Sequence, residues 1–134
     1  MTVKRINPEN MYNSVNFGFS HATVSQEGGL LHLSGQVAWD KDNNLVGGDD
    51  LAAQTRQALA NLRAVLADQG LGPADLVRIR TYVVNHSPDK LGPIGQELGA
   101  FYGDVLPAAN TLIGVQTLAM PEFLIEIEAT AALR

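Results

Sequence analysis

Two glutamates near the end of the chain are the first candidates for chemistry. Residues 124–131 alternate as a β-strand does, with Ile125 and Ile127 on one side and Glu126 and Glu128 on the other. Carboxylates two residues apart on one strand face lie about 7 Å from each other. In a partly dry pocket such an acid can transfer protons near neutral pH, but antiparallel sheets also commonly expose a polar face to water. The residues alone leave both interpretations open.

Other reactive groups are sparse and scattered. There are no cysteines, and His21, His32 and His86 lie in separate segments without a metal-ligand spacing. We therefore predict no metal site. Asn110 and Thr111 follow Pro107 and could orient a small polar ligand opposite the glutamates, or simply begin a strand.

Composition limits the class of protein. The chain has 134 residues, of which 46% are hydrophobic and 17% charged, so we predict a single folded domain over residues 1–134. A net charge of −5 with scattered basic residues argues against nucleic acid as a partner. Neither a signal peptide nor a run of eighteen apolar residues is present, which predicts a cytoplasmic protein without a membrane partner.

The elements that must position these residues alternate between strands and helices. The pattern predicts a loosely attached arm over residues 1–16, with at most a short edge strand, and then strands at 17–24 and 29–37, a helix at 50–69, a strand at 75–85, a helix at 91–102, and strands at 107–115 and 124–131. This ββαβαββ order predicts an α+β fold, with two helices packed on one face of a mostly antiparallel sheet. The other face needs cover, which indicates an oligomer. Gly35, inside a strand, indicates a bulge or a close approach of another backbone or a ligand.

Five short motifs occur in an informative order. They are Phe-Ser-His-Ala at 19–22, Leu-Ser-Gly-Gln at 33–36, Gln-Thr-Arg-Gln-Ala-Leu-Ala-Asn-Leu at 54–62, Pro-Ala-Ala-Asn-Thr at 107–111 and Ile-Glu-Ile-Glu-Ala at 125–129. Together they resemble the Rid family (RidA/YjgF, L-PSP-type proteins), from about residue 17 to the C-terminus. The resemblance implies a chorismate-mutase-like fold and a homotrimer whose sheets form a barrel, with ligand pockets between subunits. It also implies hydrolysis of imines and enamines, such as 2-aminoacrylate, to ketoacids and ammonia without a cofactor.

The resemblance also implies roles for particular residues. Glu126 matches the glutamate that positions the hydrolytic water, and Gly35 matches the strand glycine whose backbone faces the substrate. Phe19 stands where the family usually has Tyr, and Phe101 matches an aromatic residue at the end of the second helix. Glu128 is left with a structural or interfacial role.

The position after Pro107 and Ala108 departs from the family pattern. Deaminating members carry an Arg there that binds the substrate carboxylate, whereas this chain has Ala109, followed by Asn110 and Thr111 as polar contacts. A methyl group cannot make the bidentate contact of a guanidinium. The chain therefore resembles an Arg-lacking branch, for which deamination of 2-aminoacrylate is not expected.

The sequence leaves several functions open. It favours a small-molecule-binding protein that hydrolyses an imine or enamine, and the alternative is a metabolite-binding or regulatory module without catalysis. A ribonuclease is disfavoured by the acidic balance of the chain. Whether Arg78 or Arg80 replaces the missing arginine also stays open at this level.

Overall fold

The protein folds into one mixed β-sheet and two α-helices. A computed structural model describes residues 3–134, apart from the side chain of Gln26. The elements are β1 (Val3–Ile6), β2 (Ala22–Ser25), β3 (Leu30–Gln36), α1 (Leu51–Asp68), β4 (Leu76–Val84), α2 (Leu91–Tyr102), β5 (Ala109–Val115) and β6 (Ile125–Ala132). The strand order is β1-β2-β3-β6-β4-β5, and the pairings are antiparallel except for the parallel pair β4–β5. The predicted α+β class and mostly antiparallel sheet are confirmed.

The hydrophobic core lies between the sheet and the helices. Strand β6 contributes Ile125, Ile127 and Ala131, which are fully buried, and α1 packs against this strand and against β3. Burial of each large aliphatic side chain contributes about 1.5–3 kcal/mol. The alternation along β6 therefore fixes which face carries Glu126 and Glu128, namely the face away from the helices.

Helix α1 has clear signals at both ends. The Asp50 carboxylate accepts a hydrogen bond from the backbone N–H of Ala53 at 3.2 Å and so caps the first turn. At the other end Gly70 has a φ of 70°, and the N–H of Leu71 donates to the carbonyl of Leu66 at 2.9 Å. The helix predicted at 50–69 is thus confirmed to within one residue at each end.

The sheet order corrects one expectation about the C-terminal strands. Strand β4 lies between β5 and β6, so that Tyr82 pairs with Glu126 on one side and with Ile113 on the other. Parallel strands need a crossover connection, and α2 supplies it between β4 and β5. Asn110 and Thr111 therefore do not lie opposite the glutamates as the sequence suggested.

The N-terminal segment is packed more tightly than its polar composition indicated. Strand β1 pairs with β2 and adds a sixth strand to the predicted order. Met11, Tyr12 and Ser14 are buried, and the Asn7 side chain accepts a hydrogen bond from the backbone of His21 at 3.1 Å. The expectation of a loosely attached arm is wrong for the described residues 3–16, because Met11 and Tyr12 belong to the core and Asn7 is hydrogen-bonded to the backbone of His21, which precedes β2.

The predicted hairpin exists, but its first strand is shorter. Strands β2 and β3 pair in antiparallel fashion across residues 26–29. Residues 15–17 form a 3-10 turn instead of a strand, and β2 begins only at Ala22. This arrangement directs Phe17 and Phe19 toward the site described below. Within residues 3–134, neither helix has the length and apolar character needed to cross a membrane.

Candidate functional site

A cavity of about 540 Å³ opens beside the bulged end of β3 and the start of β6. It is lined by apolar and aromatic side chains with very few polar groups: Tyr12, Phe17, Phe19, Ser34, Gly35, Val37, Trp39, Ala119, Met120, Phe123 and Glu126. Its volume falls within the range of roughly 300–1,000 Å³ that small-molecule sites occupy. A single carboxyl group in an apolar wall is an arrangement suited to binding and proton transfer.

Gly35 and Glu126 depend on each other. The register of β3 against β6 shifts between Leu33 and Gln36, which marks a bulge at this point. A Cβ atom added to Gly35 would lie 2.2 Å from Oε2 of Glu126. Glycine is therefore required for the carboxyl group to occupy its place. The predicted bulge is present, and the group that approaches Gly35 is the Glu126 side chain instead of the backbone or ligand that the sequence suggested.

The two glutamates of β6 have different environments. Burial raises the pKa of the Glu126 carboxyl above its usual range, and the nearby charge of Glu128 raises it further. Within the described part of the chain, no hydrogen bond or ion pair is recorded for the Glu126 carboxyl. Glu128, by contrast, accepts a hydrogen bond from the Tyr82 hydroxyl and lies 3.9 Å from an Arg80 nitrogen. Of these two glutamates, Glu126 is therefore the one whose carboxyl has no protein partner among residues 3–134 of the chain.

A buried polar network lies behind the cavity. The Nε2–H of His21 donates to the carbonyl oxygen of Tyr12 at 2.8 Å, which leaves Nδ1 to accept from the Gln36 amide at 3.0 Å. The Tyr12 hydroxyl in turn donates to the Gln36 carbonyl oxygen at 3.4 Å. Burial lowers the pKa of His21 and raises that of Tyr12 to about 12, the latter with help from Glu126. Both groups therefore stay neutral near pH 7, and the network fixes Tyr12 against the cavity.

Trp39 is at the centre of the aromatic wall. Its ring centroid lies 5.4 Å from that of Tyr12, 5.6 Å from that of Phe17 and 5.1 Å from that of Phe123. The contacts with Tyr12 and Phe123 are edge-to-face, the geometry that aromatic quadrupoles favour. The wall is thus held by mutual packing of rings from three separate segments of the chain.

Two buried polar residues of α1, which the sequence did not indicate as site residues, hold the cavity walls. The Asn61 amide donates to the carbonyls of Val37 at 3.0 Å and Trp39 at 2.9 Å. The Gln54 amide donates to the carbonyl of Glu122 at 2.9 Å, beside Phe123. A sequence signal existed, since positions 54 and 61 lie two helical turns apart on the face that packs on the sheet.

The structure brings three of the predicted site residues together. Phe19, Gly35 and Glu126 all line the cavity. Ala109 and Thr111 are on the same sheet face as Glu126, but they belong to β5, which β4 separates from β6. Within one chain, therefore, the position expected to contact a substrate carboxylate lies outside the cavity.

Two other predicted contacts point elsewhere. Asn110 accepts a hydrogen bond from the Thr81 hydroxyl at 3.1 Å and faces the helix layer. Phe101 is buried, and the Arg63 guanidinium lies over its ring at 4.9 Å from the centroid. Within this chain, strand alternation and helix packing direct both side chains away from the Glu126 cavity, and their substrate contacts stay a prediction.

The two arginines of β4 differ in position. Arg78 pairs in register with Ala109, and its guanidinium donates to the Thr111 hydroxyl at 2.9 Å. Arg80 lies beside Glu128. The cavity lining given above includes neither arginine. Within residues 3–134, acidic and histidine side chains nowhere gather as a set of three or more that could hold a metal ion.

Comparison with known proteins places this geometry in a family. A model of the family described as endoribonuclease L-PSP matches residues 11–133. The chain belongs to this family, also called the Rid family. Its two helices and six-stranded sheet are those of the Rid fold, as the resemblance implied.

Three relatives illustrate the likeness. YyfB from Yersinia pestis, a Rid protein of unknown function, is 61% identical over 99% of this chain and 100% of its own, with a TM-score of 0.77. The YjgF gene product of E. coli is 26% identical, over 98% of this chain and 99% of its own, with a TM-score of 0.84. A RutC family protein from Pyrococcus horikoshii is 28% identical over 112 residues, which cover 83% of this chain and 85% of the relative.

Proposed function

We propose that this Rid protein binds a small organic molecule beside Glu126 and hydrolyses a C=N bond there without a cofactor. The observation that carries the proposal is the Glu126 carboxyl itself, which has a raised pKa and lies against Gly35 in an aromatic cavity. General acid–base catalysis is most effective when the pKa of the group lies near the working pH. Membership of the family supports the same class of reaction.

One carboxyl group can carry all the proton transfers that the reaction needs. Protonated Glu126 gives its proton to the imine nitrogen, and the resulting carboxylate takes a proton from water as the water oxygen bonds to the carbon. The carboxyl then protonates the nitrogen of this carbinolamine, and the C–N bond breaks with its electron pair leaving on nitrogen. The hydroxyl proton returns to Glu126. An imine and water thus yield a carbonyl compound and ammonia, and the carboxyl regains its starting form.

We infer that the protein belongs to an Arg-lacking branch and that 2-aminoacrylate is not its preferred substrate. Ala109 offers no donor to a carboxylate. Arg78 is the cation beside it, and the Thr111 hydroxyl already accepts one of its hydrogen bonds. A substrate carboxylate would also approach Glu128, whose negative charge opposes it, and it would oppose the ionisation of Glu126.

We propose that the active form is a homotrimer with the cavities at subunit boundaries. Phe17, Phe19 and Met120 at the cavity are 59%, 37% and 40% exposed in the single chain, and burial of such side chains favours association. Strand β5 is an exposed edge of the sheet and needs similar cover. Size-exclusion chromatography with light scattering should give three times the mass of the chain. A monomer at assay concentrations would contradict this.

The test of the reaction is ammonia release from freshly generated imines by purified protein. Glu126→Gln should lower kcat/KM by about 100-fold or more, because general acid–base catalysis contributes roughly 10²–10⁴-fold. The matched control is Glu9→Gln, which changes an exposed acid and should leave the rate unchanged. A Glu126→Gln variant as active as the wild type would refute the proposed role. Saturable binding without turnover by the wild type would identify a metabolite-binding module instead.

The description of the family as an endoribonuclease leads to a separate test. Binding of RNA relies on clustered Lys and Arg, and this chain has nine of them against fourteen Asp and Glu. We propose that RNA is not the substrate. RNA cleavage that persists through stringent purification and disappears in Glu126→Gln would overturn this.

A further inference from the structure

Among residues 3–134 of one chain, the Glu126 cavity contains a carboxyl group without a counter-charge. Around the carboxyl, β3 contributes Ser34 and Gly35, the N-terminal segment contributes Tyr12, and β6 contributes a second acid, Glu128. The Ser34 hydroxyl donates to a backbone carbonyl at 2.6 Å and so directs its proton away from Glu126. The Glu126 side chain is half-buried, and a carboxylate that has lost part of its hydration is stabilised when it is paired, hydrogen-bonded or protonated. Within one chain, a positively charged ligand is the partner that would stabilise the ionised form of this carboxyl.

The rest of the lining also favours a cation. Five aromatic residues contribute to it, and Lys, Arg and His are absent from it, as the described residues define it. The negative faces of aromatic rings attract a cation within about 6 Å, most strongly the ring of Trp. The same walls repel a carboxylate, because no donor is left to replace its hydration. The volume of about 540 Å³ exceeds what a three-carbon imine needs and leaves room for a larger apolar substituent.

We propose that the site selects hydrophobic organic cations, namely protonated imines and amines with an aryl or branched alkyl substituent and without a carboxylate. The charged nitrogen lies against Glu126, and the substituent packs among Trp39, Phe123 and Phe17. This inference rests on the proposed function for the reacting form, since an imine becomes an iminium ion on protonation. It goes beyond that function by naming the substrate class.

The chain provides its own reporter for the test. Trp39 is the single tryptophan and lines the cavity, so its fluorescence responds to occupancy. Benzylammonium, benzyl alcohol and benzoate share a ring and differ in charge. We expect saturable binding that is at least about tenfold tighter for benzylammonium than for benzyl alcohol, with benzoate weakest. Equal affinities, tighter binding of benzoate, or no response to any of the three would overturn the inference.

Two variants locate the origin of the preference. Glu126→Gln should weaken benzylammonium binding by about tenfold or more and leave benzyl alcohol binding nearly unchanged, because only the charged ligand loses a partner. Phe17→Leu tests the aromatic contribution at a position that is exposed in the single chain, and light scattering checks that the variant keeps the assembly of the wild type. It should weaken benzylammonium binding by about two- to fivefold, the range of an exposed cation–π contact. If both variants still bind benzylammonium more tightly than benzyl alcohol by the wild-type factor, Glu126 and Phe17 do not determine the preference for a cation.

Turnover separates this inference from the proposed function. Ammonia release is compared for the imine formed from benzylamine by an amine oxidase and for 2-iminopropanoate formed from alanine by an amino acid oxidase. Faster hydrolysis of the benzyl imine supports both proposals. Preferential binding of benzylammonium with no hydrolysis of either imine overturns the proposed function and leaves the ligand class standing. Faster hydrolysis of 2-iminopropanoate overturns the ligand class and leaves the hydrolase standing, and a further Arg78→Gln variant shows whether that arginine binds the carboxylate.

Discussion

Replacement of Gly35 by alanine should displace the Glu126 carboxyl without unfolding the protein. The added Cβ would lie 2.2 Å from Oε2, 2.8 Å from Cδ and 2.9 Å from Cγ of Glu126. To reach ordinary contact at 3.4 Å, the carboxyl oxygen must retreat by about 1.2 Å. A misplacement of about 1 Å can cost roughly 10²-fold in rate, and we expect a loss of that size in kcat/KM for imine hydrolysis.

The stability of this variant should change little. The atoms that clash belong to the end of a flexible side chain, and Gly35 does not have a positive φ, so alanine introduces no backbone strain. Gly95→Ala is the matched control, because Gly95 is an exposed residue inside helix α2 and a Cβ there meets no atom within 4 Å. It should keep full activity and gain about 0.5–1 kcal/mol of stability.

A double-mutant cycle then shows whether Gly35 acts through Glu126. In the background of Glu126→Gln, the change Gly35→Ala should cause little further loss of rate, since the two substitutions remove the same positioned acid. Imine hydrolysis and thermal unfolding are measured for all four proteins. If Gly35→Ala keeps wild-type activity, or if the two losses multiply independently, the reasoning from the close approach is refuted.

Three further predictions follow from the same contacts. Burial raises the pKa of Glu126 in the folded protein above its value in the unfolded chain. The contribution of Glu126 to stability therefore falls as the pH rises through the interval between these two pKa values, and the Tm of Glu126→Gln should exceed that of the wild type by more at about pH 8 than at about pH 4. A difference in Tm that stays constant with pH would contradict this. Glu128→Gln removes a charge that raises the pKa of Glu126, so the pH–rate profile should shift toward lower pH, and an unshifted profile would exclude the coupling. The Gln54 amide makes hydrogen bonds to buried backbone groups, and Gln54→Ala leaves these groups without a partner. The substitution should lower the free energy of unfolding by about 3 kcal/mol in chemical denaturation, whereas Gln96→Ala, at an exposed position, should change it by no more than about 0.5 kcal/mol. Equal effects of the two substitutions would show that the bonds of Gln54 contribute little.

Local patterns predicted the elements well. Helical spacing and a capping Asp located α1, and strand alternation assigned Glu126 to the face away from the core. The order of the motifs led to the family. All of these signals depend on neighbouring residues, for which spacing along the chain is informative.

Contacts between segments that are distant in sequence could not be predicted from spacing along the chain. The insertion of β4 between β5 and β6 depends on long-range pairing, and this moved Asn110 away from Glu126. Gln54 and Asn61 are buried because their side chains make hydrogen bonds to the backbone of loops that are distant in sequence. Polar side chains on a helix usually indicate an exposed face, so their burial could not be predicted from their residue types. Tyr12 belongs to a polar segment, and its place in the site depends on His21 and Gln36.

The central claim is that Glu126 is the acid and base of the reaction. Infrared difference spectroscopy of the wild type against Glu126→Gln isolates the carboxyl band of this residue, and its disappearance with rising pH gives the pKa directly. We expect a midpoint above the usual range of glutamate that coincides with a midpoint in the pH dependence of kcat/KM. Two results would contradict this role for Glu126: a carboxyl that titrates like that of an exposed glutamate, or a kcat/KM that does not change over the pH range in which Glu126 titrates.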